Sequence, residues 1–434
     1  MFRSRLLVSP LLLVFFVIPV TGETLQVTPQ QFQFCYDTHP DSLYCLLPTF
    51  GLTSKPNQLL GARFAVVTQR TLALTNLIGV ETATLTIPSP ATGVSFTFDR
   101  KLGVMTRSLE SFGPILSDRA ETLGGHKLAV GFTYEHFGFD SLNGSSLIHN
   151  VDPGNGLIRS IDLELDEFTT FITWGVTQRI DVSAVFPVRT VKMAVRNSLG
   201  LQFDPDLFLA SLTDPTISPF VQMPAPDESK SRTGLSDITL RFKSTLWKAE
   251  HGGVGFGVDV RAPVGDPLDF LGAGAWGVKP FVVGSLGFKF GHVHLHPHLS
   301  TGFEWNGSSI LGGSLLGVSG RLPRRWLYSV GTEVGLVKRA TVSLDLIGER
   351  LFSANPTFST PFDNIVGLTV GTISAIGPTS VDITRRSVNL KDVSIGGKVN
   401  PWGNVLLTGN LSWRLDRSGL RARLVPLVGI SYTF

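Results

Sequence analysis

Even and odd positions from Arg421 to Phe434 sort onto two faces. Leu424, Pro426, Val428, Ile430, Tyr432 and Phe434 lie on one, and Arg421, Arg423, Val425, Leu427, Gly429, Ser431 and Thr433 on the other. A period of two with one apolar face is a strand of an antiparallel sheet wetted on one side. The pattern begins at His126 and predicts twelve strands, over 126–138, 163–176, 178–190, 236–247, 252–262, 278–290, 292–305, 325–338, 340–351, 391–401, 403–415 and 422–434. In 403–415, Val405, Leu407, Gly409, Leu411, Trp413 and Leu415 oppose Asn404, Thr408, Asn410, Ser412 and Arg414. In 163–176 the alternation shifts phase near Asp166 and Glu167. Most segments reach the ~9–11 residues that a tilted strand needs to cross a bilayer.

Connection lengths sharpen this into an architecture. Tight turns fall at Gln178, Glu250–His251, Gly291, Lys338–Arg339 and Trp402–Gly403, and they alternate with long connections over 139–162, 191–235, 263–277, 306–324 and 352–390. Asp416–Arg421 is a short member of the long class. Short turns on one side and long loops on the other are the habit of membrane barrels, and an even strand count leaves both barrel ends on the short-turn side. The expected fold is all-β, a transmembrane antiparallel β-barrel of about twelve strands over 126–434, with both termini in the periplasm.

Ahead of the barrel, Arg3 and Arg5 precede an apolar run from Leu6 to Val20 and then Thr21 and Gly22. This is the pattern of a secretory signal over 1–22. Residues 23–125 alternate poorly and are expected to form an N-terminal plug or periplasmic segment. A short amphipathic helix is expected within Asn57–Asn76, and a hairpin of Ala83–Ile87 with Val94–Phe98. Beyond the signal no apolar stretch of 18 or more residues is uninterrupted, which excludes a bundle of membrane helices.

Composition agrees. The chain has 46 glycines, 30 phenylalanines and only 16% charged residues, against the ~25% usual in soluble domains. Removing 1–22 takes away two of 37 basic residues and none of 34 acidic ones, leaving 35 − 34 = +1. A nearly neutral chain gives no ground for nucleic-acid binding. Cys35 and Cys45 are expected to pair as a local disulfide in an oxidising compartment, the alternative being two partly buried thiols.

The ending Tyr432-Thr433-Phe434 resembles the terminal strand of bacterial outer-membrane barrels. Gly234-Leu235-Ser236-Asp237-Ile238-Thr239-Leu240 resembles a strand opening in a bacterial family linked to the meta-cleavage pathway of phenol degradation. The next hairpin agrees, with Asp259-Val260-Arg261-Ala262-Pro263-Val264-Gly265-Asp266 leading to Leu271-Gly272-Ala273-Gly274-Ala275-Trp276-Gly277. The resemblance implies an outer-membrane barrel that transports small organic molecules, distantly like the long-chain fatty-acid channels.

Few constellations in the chain have the makings of a chemical site. Gly272, Gly274 and Gly277 spell a dinucleotide fingerprint, but with no following helix they are expected to be loop glycines. His292, His294, His296 and His298 stand two apart on one strand. They are weak metal candidates, with Glu304 nearby, and are better read as a polar wall of the lumen. Inward charges are mixed, with Arg179, Arg189, Arg241, Lys243, Arg261, Lys289, Lys398, Arg414, Arg421 and Arg423 against Asp181, Asp237, Asp259, Glu304, Glu333, Asp345 and Glu349. The long connection 201–226 is too apolar for a solvated loop. Phe203, Phe208, Leu212, Phe220 and Met223, joined by Phe270 and Trp276, are the candidate ligand-collecting residues, the alternative being a loop that only packs on itself, on lipid or on a neighbour.

The expected function is passive diffusion of small hydrophobic or aromatic molecules across the outer membrane. No catalysis and no cofactor are required; membrane lipid and a small hydrophobic ligand are the expected partners, and oligomeric state is left open. A non-transporting structural or adhesive barrel is the alternative, and a barrel lipase the third.

Overall fold

The computed structural model describes residues 22–26, 34–49, 72, 74–85, 88–90, 96–99, 104–107, 111–148, 158–197, 200–203, 205–214, 220–223, 227–249, 251–291, 293–314, 316–337, 339–358 and 380–434. Residues 1–21 of the expected signal lie outside them, as do residues 57–71 of the expected first helix.

Twelve antiparallel strands close into a barrel. In chain order within the wall they are β1 (Lys127–Leu142), β2 (Ile158–Gly175), β3 (Ile180–Asn197), β4 (Glu228–Leu235, continuing as Ile238–Ala249), β5 (Gly252–Ala262) and β6 (Gly277–Leu286, continuing as Phe288–Phe290). Then come β7 (Val293–Asn306), β8 (Arg324–Val337), β9 (Ala340–Phe358), β10 (Ser380–Val399), β11 (Val405–Arg414) and β12 (Leu420–Ala422, continuing as Leu424–Thr433). Each strand pairs with the next, and β12 closes on β1 through Leu427↔Glu135 to Thr433↔Ala129. No helix among the described residues is long and apolar enough to cross a membrane; the strands do the crossing.

The outer surface shows why these sequences alternate. Leu240, Phe242, Val330, Leu344, Ile395, Leu407, Val428 and Ile430 are large, apolar and exposed on the outside of the wall. All seven tryptophans stand at strand ends. Trp174, Trp247 and Trp402 mark the short-turn end, and Trp276, Trp305, Trp326 and Trp413 the long-loop end. Trp402 and Trp413 bracket β11, eleven positions apart (413 − 402). At ~3.3 Å per residue and a ~40° tilt they stand ~28 Å apart across the membrane, close to the ~25 Å apolar band and aromatic girdles of a membrane barrel.

Several strands run further at the long-loop end than alternation predicts. β2 begins at Ile158 rather than 163, β3 reaches Asn197 rather than 190, β9 reaches Phe358 rather than 351, and β10 begins at Ser380 rather than 391. The cause is a reversal of polarity. Along β2, odd positions face inward throughout: Glu167, Thr169 and Thr173 within the membrane, but Ile161, Leu163 and Leu165 above it. Thus the apparent phase shift near Asp166 is a change of surroundings, not of geometry. Above the bilayer the outside is water, so the apolar side chains turn inward. The same reversal places Val191, Met193 and Val195 of β3, Phe137 and Phe139 of β1, Leu351 of β9 and Val388 of β10 inside.

The segment ahead of β1 is inside the barrel, and it approaches from an unexpected end. The barrel itself starts at Lys127 and ends at Thr433 on the short-turn side. Residues 34–49, however, sit among the long loops. Helix α1 (Leu43–Thr49) offers its Leu43 N–H to Asp269 Oδ1 at 3.1 Å, and the strand Gly22–Gln26 pairs with Ser380–Thr384 at the far end of β10. This corrects the expectation that the N-terminal end lies with the C-terminus. Helix α2 covers residues 74–83 and so takes in Thr75 and Asn76, the end of the segment in which the first helix is expected. The expected hairpin is shifted to Phe96–Asp99 with Val104–Arg107; Ala83 instead ends α2.

Candidate functional site

The lumen has a charged lower part and an apolar mouth, and the N-terminal segment fills both. Residues 111–123 cross the lower part, held by inward side chains from most of the wall. Arg241 forks onto Asp259 at 2.6 and 2.7 Å and extends Nη1 to both oxygens of Asp118 at 2.9 and 3.0 Å. Lys398 donates to the carbonyls of Pro114 (2.6 Å) and Phe112 (3.3 Å), and Lys243 to that of Glu121 (2.8 Å). Ser111 donates to Glu333, Thr245 to the Ala120 carbonyl at 2.6 Å, and the Leu123 N–H to Asp181 at 2.8 Å. Buried polar groups are costly unless paired. Here wall and segment supply each other's partners.

Helix α2 hangs from the mouth with its C-terminal end pointing down. Its terminal carbonyls accept from two wall arginines, Thr82 O from Arg189 Nη1 at 2.8 Å and Ala83 O from Arg261 Nη1 at 3.4 Å. Cations at a helix C-terminus satisfy orphan carbonyls and oppose the negative end of the dipole. Below this junction lies a cavity of about 70 Å³ with a mixed lining that includes Thr84, Pro90, Arg189, Arg241 and Lys279. It is large enough to admit water.

The mouth is apolar. Leu43, Tyr44, Leu46 and Leu47 of α1, Ile78 of α2 and the disulfide-bonded Cys35 and Cys45 pack into one buried cluster with Leu163, Leu165, Met193, Phe270 and Leu351. The expected pairing of Cys35 with Cys45 is present, ten residues apart. Glu81 intrudes on this cluster, its carboxylate accepting from the Leu420 N–H. Burial pushes its carboxyl up to about 8. Between its ordinary value near 4.5 and about 8, the folded protein keeps a proton that the unfolded chain has released. Stability therefore falls as pH rises through that window, by at most about 1.4 kcal/mol per pH unit. Glu81→Gln should flatten this slope, seen as a smaller difference in thermal unfolding between about pH 5 and about pH 8.

Of the expected ligand residues, Phe270 and Trp276 do not share a site. Phe270 is fully buried in the cluster, whereas Trp276 is exposed on the outer girdle. They face opposite ways because they bound a loop that crosses from the inside of the wall to its outside. Phe203 and Phe220 pair across a hairpin of Gly200–Phe203 and Phe220–Met223, with Met223 opposite Gly200. Phe208 and Leu212 lie on the intervening helix α3 (Pro205–Thr213).

The histidines part company too. His292 lies outside the described residues, His294 and His296 are half-buried and His298 is buried. His298 Nε2 lies 2.6 Å from Asp345 Oδ1 and 3.0 Å from Ser117 Oγ. The contact reaches across the intervening strand because Gly331 has no side chain; a Cβ there would sit 2.1 Å from Asp345. Ser117 and Asp345 share Nε2, while Nδ1 lies 3.3 Å from the His296 carbonyl and 3.7 Å from Glu333 Oε1. Among the described residues no three His, Cys, Asp or Glu side chains converge as a metal site requires. Of the expected inward charges, Arg179, Lys289 and Arg423 are instead exposed.

Sequence reasoning missed the clasp made by Asp237. Its carboxylate accepts from the Gly265 N–H at 3.1 Å and the Ala273 N–H at 2.8 Å, pinning the loop between β5 and β6. The glycines of the apparent fingerprint serve this closeness. A Cβ on Gly272 would lie 2.3 Å from Asp237 Oδ1. The signal was available, since the two family-like motifs are the two halves of this clasp. Asp237→Ala should cost about 1–3 kcal/mol per stranded N–H and open the 263–276 loop to proteolysis.

Closed wall, lipid-facing apolar band and two tryptophan girdles decide the setting. The chain is a β-barrel of the bacterial outer membrane. Among solved structures, it is similar to an outer membrane channel from Pseudomonas putida F1, with 12% identity and a TM-score of 0.48 over 73% of this chain and 98% of that one. It is also similar to the translocator domain of the autotransporter NalP from Neisseria meningitidis, with 10% identity and a TM-score of 0.34 over 72% and 89%. A third is the monoaromatic hydrocarbon channel CymD, with 9% identity and a TM-score of 0.35 over 71% and 89%. No protein-family model matches the chain, and no curated protein matches its sequence. In this outer-membrane barrel the short turns face the periplasm and the long loops the exterior.

Proposed function

We propose that the protein is a passive channel through which small hydrophobic or aromatic molecules cross the outer membrane, closed in this conformation by its N-terminal segment. The observation that carries this is the reversal of polarity along the wall. Above the membrane the interior is lined by Ile161, Leu163, Leu165, Val191, Met193 and Leu351, which makes a mouth that favours apolar solutes over water. In this mechanism a solute competes with α1 and α2 for the apolar lining. The charged lower lumen then releases it towards the periplasm once residues 111–123 shift. No covalent bond is made or broken. Gly234–Leu240 and Asp259–Gly277, which resemble motifs of the family linked to phenol degradation, support the same reading.

A non-transporting barrel is favoured by a different observation, the density of buried pairs that hold residues 111–123. Uptake separates the two. Cells making the protein should take up a small aromatic hydrocarbon faster than cells without it, with sucrose uptake unchanged. Equal rates for the hydrocarbon would leave the structural reading.

A further inference from the structure

We infer that the barrel carries its own N-terminal segment through the lumen and displays residues 34–49 on the outer face of the membrane. The evidence is the order in which the segment meets the wall. Just before β1, Thr122 Oγ1 donates to the Gln178 carbonyl in a short turn at 2.9 Å, and the Leu123 N–H to Asp181 at 2.8 Å. Further back along the chain, the end of α2 meets Arg189 and Arg261 in mid-wall, and Asn76 Nδ2 donates to Gly313 O in a long loop at 2.7 Å. Further back still, Pro40 O accepts from Lys230 Nζ at 2.7 Å, Asp41 O from Arg232, and the Leu43 N–H meets Asp269 at 3.1 Å. Each step towards the N-terminus is a step towards the exterior.

A segment retained in the periplasm would lie at the short-turn end throughout. This one lies at both ends of a closed wall, so the chain between them runs through the lumen. The dimensions permit it. Twelve strands ~4.8 Å apart and tilted by ~40° give a wall ~24 Å across between backbones, leaving ~14 Å within the side chains. One helix is ~10–12 Å wide. The displayed end is finished as a small external unit. Cys35–Cys45 closes it, Leu43, Leu46 and Leu47 bury it against the mouth, and Asp37, Thr38, Pro40 and Asp41 remain exposed. Its location is independent of what passes the channel.

Single-cysteine chains test this in intact cells with a membrane-impermeant maleimide. In a Cys35→Ser, Cys45→Ser background, Asp41→Cys should be labelled as fully as Val264→Cys in a long loop. Lys248→Cys at the short-turn end should be labelled only after the outer membrane is permeabilised. Labelling of Asp41→Cys only after permeabilisation, while Val264→Cys reacts on intact cells, would overturn the inference. So would labelling of Lys248→Cys on intact cells. A chain with both native cysteines and an epitope placed after Gly22 gives a second readout should the background fail to assemble. Antibody binding on intact cells is expected, and binding only after permeabilisation contradicts it.

Discussion

A chain lacking residues 23–120 should conduct ions steadily in a planar bilayer, whereas the full chain should be nearly silent. The deleted stretch supplies the contacts that occupy the lower lumen, among them Asp118 on Arg241, the carbonyls of Phe112 and Pro114 on Lys398, and Ser117 on His298. Without it the inward wall keeps Arg241, Lys243, Asp259 and Lys398, which are charged groups that hold water. A lumen of ~14 Å lined this way is a water-filled pore. The mouth would also lose the cover of α1 and α2, leaving Leu163, Met193 and Leu351 wet, so the truncated barrel should also unfold at a lower temperature. Silence from both chains, each shown to be inserted, would mean that the wall collapses without its filling and that the lumen is not a path.

Arg241→Ala should be the most damaging single change in the lumen. The guanidinium joins Asp259 on the neighbouring strand to Asp118 on the crossing segment, all three nearly buried. Lys279 Nζ remains 2.9 Å from Asp259, but Asp118 is left with the Ser89 hydroxyl at 2.7 Å. Removing one partner of a buried pair costs about 3–5 kcal/mol because a charge is left behind. Part of that cost falls on the docking of residues 111–123, so the variant should show both a lower unfolding temperature and a raised basal conductance. Arg241→Lys should recover only part of each, since an ammonium cannot fork onto two carboxylates. A wild-type conductance with a lowered melting temperature would confine Arg241 to the wall.

What could be read in the sequence follows from where the solvent is. Within the membrane, lipid outside and polar groups inside impose a strict alternation, so the core of each strand was legible, Leu424–Thr433 most plainly. Above the membrane that constraint reverses. Ile158–Leu165 and Val191–Asn197 keep the geometry of a strand while their apolar residues change from outward to inward, which looks like a phase error or a loop. The N-terminal segment was legible only as a filling. Its bonds run from residues 111–123 to strands up to 286 positions away (Lys398 to Phe112), and no local pattern marks them. The failure of Phe270 and Trp276 to act together has the same origin. Both are aromatic and close in sequence, yet one anchors the mouth and the other the girdle. His298 was rightly placed on the inside, but the residues that claim it, Ser117 and Asp345, come from the segment and from a strand beyond its neighbour.

Photolabelling of the intact full chain in its membrane with a small aryl azide would be the most direct test that the apolar mouth receives hydrophobic solutes. Adducts on the inner face of the mouth, at residues such as Leu165, Met193 and Leu351, which excess unlabelled aromatic hydrocarbon suppresses, are the expected result. Adducts confined to lipid-facing positions such as Phe242, Leu344 and Val428, unchanged by competitor, would contradict it.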